Sequence, residues 1–380
     1  MSRLPAALVL ALILILPVRG AGSSISAQDD ERLRVIATFS IIGDIVQNVA
    51  GDAVDLSIIV GPDGDPHTFE PSPEQIADLA DADLIFENGI EFETWLDDMY
   101  EASGSGATRV PLADGLDLLE ISGEAHDDET ADHDHGDHDP HVWQDVGNVI
   151  AEVSVIRDSL TAADPANTAT YTANAEAYAG QLQELDSSIR TMVETVPAEN
   201  RVLFTSHDAL GYFAHAYGFT IAGTALGSVS TEASDPSAGE IVDLIDQIKA
   251  AGATAIFVEN VESGDLMSQI ARDAGVILAP TLYTDALGTS ESPAATYIAM
   301  MTYNAVTIVT ALGGQVVTGH SRLKPGADRE RLSTAIAGGQ AGSACLVSER
   351  RSVSAPGFNR GRHQARPDRP IRTLVRGQVG

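Results

Sequence analysis

Five of the ten histidines stand in one acidic run, Ala125 to Asp145, reading AHDDETADHDHGDHDPHVWQD. They are His126, His133, His135, His138 and His141. Imidazole and carboxylate are the nitrogen and oxygen ligands that divalent transition metals prefer, so the run carries a compositional metal-binding signal. It holds no large apolar residue before Val142 and Trp143, so the stretch up to Asp137 cannot pack and is expected as a solvated loop. His141 differs from its neighbours. It follows Pro140 where the chain turns apolar, so a folded body can hold it. The expectation is a loop that lures metal, with His126, His133, His135 and His138 as auxiliary ligands, and a main site that includes His141.

Three further groups lie where strands are expected to end: His67 in GPDGDPHTFEPSP, His207 in Ser206-His207-Asp208, and Asp285 in Tyr283-Thr284-Asp285. Open α/β sheets place ligand sites at the carboxyl ends of their strands. Three imidazoles and a carboxylate would suit a four-coordinate divalent ion. Spacing adds no short-range signature, since there is no HExxH helix, cysteine pair or EF-hand loop. A single loop histidine such as His67 is also an ordinary surface residue; its place between two prolines argues for a rigidly posed loop. Glu70 and Pro71 are expected to shape the turn after His67, and Trp143 and Phe69 to wall the site. His215 is expected to pack in a helix, Glu259 to have no direct role, and Asp208 and Asp145 to orient ligating imidazoles.

The elements that must position these groups form two βα series. Leu33–Thr38 reads as a buried strand, and Ser40 caps an apolar-periodic run through Val49. Val54–Val60 is the next strand. Ser72 and Gln75 form a capping box with Pro73 at the first helical position. Asp83–Glu87 is a strand, followed by an amphipathic helix carrying Phe92, Trp95, Leu96 and Met99. After the acidic loop a helix spans Val149–Leu160. Tyr171, Ala175, Tyr178, Leu182, Leu185, Ile189, Met192 and Val196 then recur at steps of four and three. That stripe predicts one helix from about Ala166 to Val196, roughly 45 Å long at 1.5 Å per residue, acting as a strut between lobes. Strands at 201–205, 219–225, 253–258 and 276–282 alternate with helices near Leu210–Tyr217, Ile241–Ile248 (capped by Asp235-Pro236), Leu266–Ala274 and Tyr297–Leu312. The fold class expected is α/β: two βα lobes with parallel sheets, joined by one long helix, with the site in the cleft.

The chain of 380 residues is long enough for two sizeable cores, and its formal charge of −33 excludes electrostatic nucleic-acid binding while suiting a protein that concentrates cations. Cys345 is the sole cysteine, so neither an internal disulfide nor a cysteine metal site can form. Residues 1–27 have the order of a secretory signal peptide, with an apolar run too short for a comfortable span. No cysteine follows the run, so a periplasmic or extracellular protein without a lipid anchor is expected. The organisation expected is a lobe at 33–165 containing the His/Asp-rich loop 125–140, a linking helix at 166–197, a lobe at 198–313 and a tail at 314–380. That tail carries 12 Lys and Arg against 4 Asp and Glu and is expected to be disordered.

Several motifs in combination (DPHTFEPSP, NGIEFETWL, the His/Asp-rich insertion leading into HVW, SHDALGYFAHAYG, DPSAGEI and YTDALG) resemble the zinc/manganese solute-binding proteins of ABC transporters, over approximately Leu33 to Leu312. Carried over residue by residue, the resemblance implies metal ligands at His67, His141, His207 and Asp285. A histidine at 207 and a charged histidine-rich loop resemble the zinc branch; manganese-binding relatives more often place a carboxylate there, as the harder ion prefers. The resemblance implies a monomer that captures Zn2+, with Mn2+ as the alternative cargo, and delivers it to a membrane ABC permease, without enzymatic activity. Four protein ligands leave no open position for an activated water. Two other classes remain open at this point. A secreted zinc hydrolase would use three histidines for the metal and Asp285 as base, and an adhesin would use metal only for stability.

Overall fold

The computed structural model of the protein describes residues 32–121, 137–233, 236–261 and 264–316, all within one compact unit. The expected signal peptide, His126, His133, His135 and the basic tail beyond residue 316 lie outside the described residues.

The first lobe is a parallel sheet. Strands β1 (Leu33–Phe39) and β2 (Val54–Val60) flank helix α1 (Ser40–Ala50); α2 (Pro73–Ala80), β3 (Leu84–Glu87), α3 (Leu96–Ser103) and β4 (Thr108–Pro111) follow. The strand order is β2-β1-β3-β4 with every pair parallel. Residues 35–39 of β1 are buried without alternation, as a central strand covered on both faces requires. The capping box at α2 forms as read: Ser72 Oγ accepts the Gln75 N–H and the Gln75 side chain accepts the Ser72 N–H.

Three local expectations need correction. Ser40 is not a side-chain cap for α1; its hydroxyl accepts the Leu287 N–H at 2.9 Å from the other lobe, so tertiary contact has claimed it. Phe92 and Trp95 precede α3 rather than ride on it, because Gly89, Ile90 and Glu91 all take left-handed φ (83°, 45° and 61°). The Glu93 carboxylate accepts the Asn88 and Gly89 N–H groups and holds that turn. Strand β4 was not foreseen; none of its four residues is fully buried, so no apolar alternation announces it.

Helix α4 (Val146–Ala163) leads into the long α5 (Thr168–Val193), whose 26 residues span roughly 39 Å. The stripe read from sequence is its buried face, including Tyr171, Tyr178, Leu182 and Ile189. Residues 165–167 form a 3-10 turn instead of the first helical turn, with Asp164 Oδ2 accepting from Asn167 Nδ2 and the Tyr171 hydroxyl, both at 2.7 Å. The second lobe contains β5 (Val202–Thr205), α6 (Gly211–Tyr217), β6 (Thr220–Thr224), α7 (Ala238–Ala251), β7 (Ala255–Ile256), α8 (Gly264–Ala274), β8 (Ile277–Leu278) and α9 (Tyr297–Ala311). Pairs β5-β6 and β7-β8 are parallel, and the Phe257 N–H donating to the Phe204 carbonyl at 2.9 Å laces them together. The cap of α7 is Ser237, in a capping box with Glu240, rather than Asp235-Pro236.

One large core cluster runs from the first sheet through α4, α5 and α9, and a smaller one lies beneath α7 and α8. The large cluster includes residues of both lobes, and the polar residues of interest are buried between them.

Candidate metal centre

The structure brings His67, His141, His207 and Asp285 together, with one ligand atom from each lying within 4.8 Å of the others. Each arrives from a chain segment that follows a strand or opens a helical turn. His67 lies on the loop after β2, His141 opens the 3-10 turn Val142–Gln144, His207 follows β5, and Asp285 follows the Glu259–Leu282 parallel bridge. The Nε2 atoms face the carboxylate: His207 at 3.0 Å and His67 at 3.8 Å from Oδ2, His141 at 3.5 Å from Oδ1. Ligand atoms on a zinc shell of about 2.0–2.1 Å radius lie no more than roughly 4.2 Å apart, so a small inward movement of the rings would close the set on one ion.

Each ligand's backbone or ring is held from behind. The Asp65 Oδ1 atom accepts the His67 N–H at 2.9 Å, and the Trp95 indole donates to the Pro66 carbonyl at 2.8 Å. Asp139 Oδ1 takes both the His141 backbone N–H (2.9 Å) and its Nδ1 (2.8 Å), which leaves Nε2 for the centre. Gly211 opens α6 against Asp139; a Cβ there would collide with the Asp139 carboxylate. Glu259 Oε2 lies 3.4 Å from His207 Nδ1 and also takes the Ser206 hydroxyl, while its Oε1 accepts the Ser206 N–H at 3.2 Å. Asn304 of α9 brackets Tyr283, donating to its carbonyl at 2.6 Å and accepting its N–H at 3.0 Å. The Trp143 indole and the Gln144 amide both donate to the Thr284 carbonyl, at 2.7 and 2.9 Å. The first lobe thus grips the residue next to Asp285.

Burial works against a charged His207, but the adjacent Asp285 carboxylate, helped by Glu259, outweighs it and holds the ring well above its ordinary pKa. Burial would likewise raise Asp285, yet His207, His141 and His67 outweigh that and keep its carboxyl well below the usual carboxylate range. The same carboxylate that would favour a proton on His207 would favour a divalent cation in its place, so proton and cation would compete for the ring.

Sequence reasoning missed two orienting carboxylates. Asp139 and Glu259 take the places expected for Asp145 and Asp208. Asp145 instead caps α4 through the Gly147 N–H, and Asp208 hydrogen-bonds to neither imidazole. Asp139 could have been suspected from its position two residues before His141; Glu259 lies 52 residues from His207, with no local signal. The walls differ too. Trp143 packs on His141 as expected, with ring centroids 5.4 Å apart, but Phe69 packs edge-on to Trp95, and Phe92 packs edge-on to His67 at 4.8 Å. Glu70 is exposed, and His215 faces solvent rather than packing in the core. His138 is described, three residues before His141 and outside the four-residue set.

Comparison with known proteins completes the picture. Residues 35–311 match the family described as zinc-uptake complex component A, periplasmic (ZnuA). The manganese-binding lipoprotein MntA of Halalkalibacterium halodurans is 36% identical over 306 residues, covering 80% of this chain and 96% of its own. Among solved structures, the periplasmic zinc-binding protein TroA of Treponema pallidum is 32% identical with a TM-score of 0.67, covering 74% of this chain and 99% of its own. A manganese-bound periplasmic metal-binding protein from Candidatus Liberibacter asiaticus is 28% identical with a TM-score of 0.65, over 74% of this chain and 100% of its own. A two-lobed α/β fold and a sequence match across both lobes place the chain in the ZnuA family of metal-binding, substrate-binding proteins of ABC transporters, which are not enzymes.

Proposed function

We propose that the protein is exported, captures Zn2+ through His67, His141, His207 and Asp285, and hands it to an ABC permease. The observation that carries this reading is the donor set: three imidazole nitrogens and one carboxylate converge in an enclosed space. Imidazole suits zinc, whereas a harder ion such as manganese prefers more oxygen donors. Manganese is the second reading, favoured by the name of the 36% identical relative. Titrating purified protein with both ions in competition separates the two. The expected result is a clear zinc preference, and His207→Glu should shift the ratio toward manganese by about tenfold or more. Wild-type preference for manganese, or no change of ratio in the variant, rejects the zinc assignment.

Asp139 and Glu259 each fix a ring so that Nε2 points inward. Loss of such a partner weakens metal binding by roughly 10–100-fold. Asp139→Asn and Glu259→Gln are each expected to raise the zinc Kd by that factor in a chelator competition, and unchanged affinity would reject their orienting role. The loop therefore ends functionally before Asp139. A deletion of Asp127–Asp139 would remove an orienting carboxylate along with the loop, so a test of the loop alone must stop short of it.

A further inference from the structure

Three members of the centre are fully enclosed, while His67 keeps 7% of its surface exposed. His67 is also the member that lines a cavity of about 20 Å3, roughly the room one water or one ion needs. Residues 90–92, Ile121, His138 and Pro140 of the first lobe wall this cavity, and residues 229–230 of the second lobe complete it. Most of these walls are apolar, so a cation shedding its water there would meet a high barrier.

Two cavity groups could lower that barrier. His138 Nδ1 is buried and makes no hydrogen bond. The residue is held in place by an antiparallel bridge with Glu120, flanked by Ile121 N–H to Asp137 carbonyl (3.1 Å) and Asp139 N–H to Leu119 carbonyl (2.9 Å). Glu91 is exposed at the rim and, like Ile90 before it, sits in the left-handed region, a strained backbone conformation for a residue with a side chain. Beside the cavity, one residue on from Ser230, the Thr231 hydroxyl donates to Asp65 Oδ2 at 2.7 Å, and Oδ1 of the same carboxylate accepts the His67 N–H. One aspartate thus ties the second-lobe wall to the ligand loop.

We infer that this cavity is the port through which the cation enters and leaves, with His138 as the transit ligand, Glu91 as the group that draws the cation to the rim, and the Asp65–Thr231 bond as the latch. The inference rests on reading the four-residue set as a metal centre. An imidazole midway along the path offers a departing or arriving divalent ion a replacement for lost water. Because a transit ligand touches neither the free nor the fully bound state, it changes both rates and leaves their ratio in place.

The test uses the full chain with His126, His133 and His135 replaced by Gln, so that His138 is the remaining imidazole of the acidic run before His141. Zinc association is followed by stopped flow and dissociation by chelator chase. Adding His138→Gln should slow both rates by about tenfold while Kd moves by less than about twofold. Thr231→Val, which loses the latch, should instead speed both rates. The inference is overturned if His138→Gln leaves both rates at the parent values, or if it alters Kd through dissociation alone. A parent that binds neither zinc nor manganese would sink the centre itself, an outcome distinct from an intact Kd with unaltered kinetics.

Discussion

Asp285→Asn should raise the zinc Kd at least a hundredfold. A four-ligand zinc site is worth about 10–16 kcal/mol, so one ligand's share is on the order of 3 kcal/mol, or roughly two decades in Kd. The carboxylate contributes more than a share, for it is the only anion among four buried donors. Three neutral imidazoles would be left to balance a dication in a buried site, where uncompensated charge is costly. The effect should exceed that of Asp139→Asn or Glu259→Gln, since those carboxylates act through rings that keep their lone pairs. Competition against a chromophoric chelator gives the number, and a change within about threefold would remove Asp285 from the ligand set.

Glu152→Gln should stabilise the protein at alkaline pH. Glu152 lies on α4, fully buried, and burial pushes its carboxyl from the usual 4.5 up to about 8. A folded-state value above the unfolded one means that folding takes up a proton. The cost is therefore absent below about pH 4.5, grows as pH rises, and is complete above about pH 8. At pH 7 it amounts to something on the order of 3 kcal/mol, a large fraction of a typical domain's stability. Glutamine keeps the shape and cannot ionise, so the melting temperature should rise by several degrees at pH 8 and hardly at all at pH 5. An equal shift at both values would show that packing, rather than ionisation, governs the position. Nearby Tyr178 and Tyr297, on α5 and α9, are held well above their ordinary values, by burial first and by acidic neighbours including Glu152. The cost at this carboxyl thus comes from its burial on α4 near Tyr178 and Tyr297.

Local chemistry made much of the fold legible before any coordinates. Capping residues and apolar steps identified α2 and the buried face of α5, because helix period and cap geometry are written in neighbouring residues. The donor types of the centre were equally plain, since imidazole and carboxylate advertise themselves wherever they stand. Their grouping came from the family resemblance and not from spacing, because residues 67, 141, 207 and 285 have no spacing in common.

Tertiary structure alone decided which second carboxylates serve the rings. Asp139 and Asp145 both lie within four residues of His141, and Asp208 adjoins His207, yet the carboxylates that meet the rings are Asp139 and the distant Glu259. It also moved Ser40 from a helix cap to an inter-lobe hydrogen bond and put Phe92 rather than Phe69 against His67. Periodicity reports how a segment relates to its own neighbours. An enclosed site is made by segments that meet from the ends of different strands, where burial turns an unremarkable acid into a partner that a histidine cannot do without.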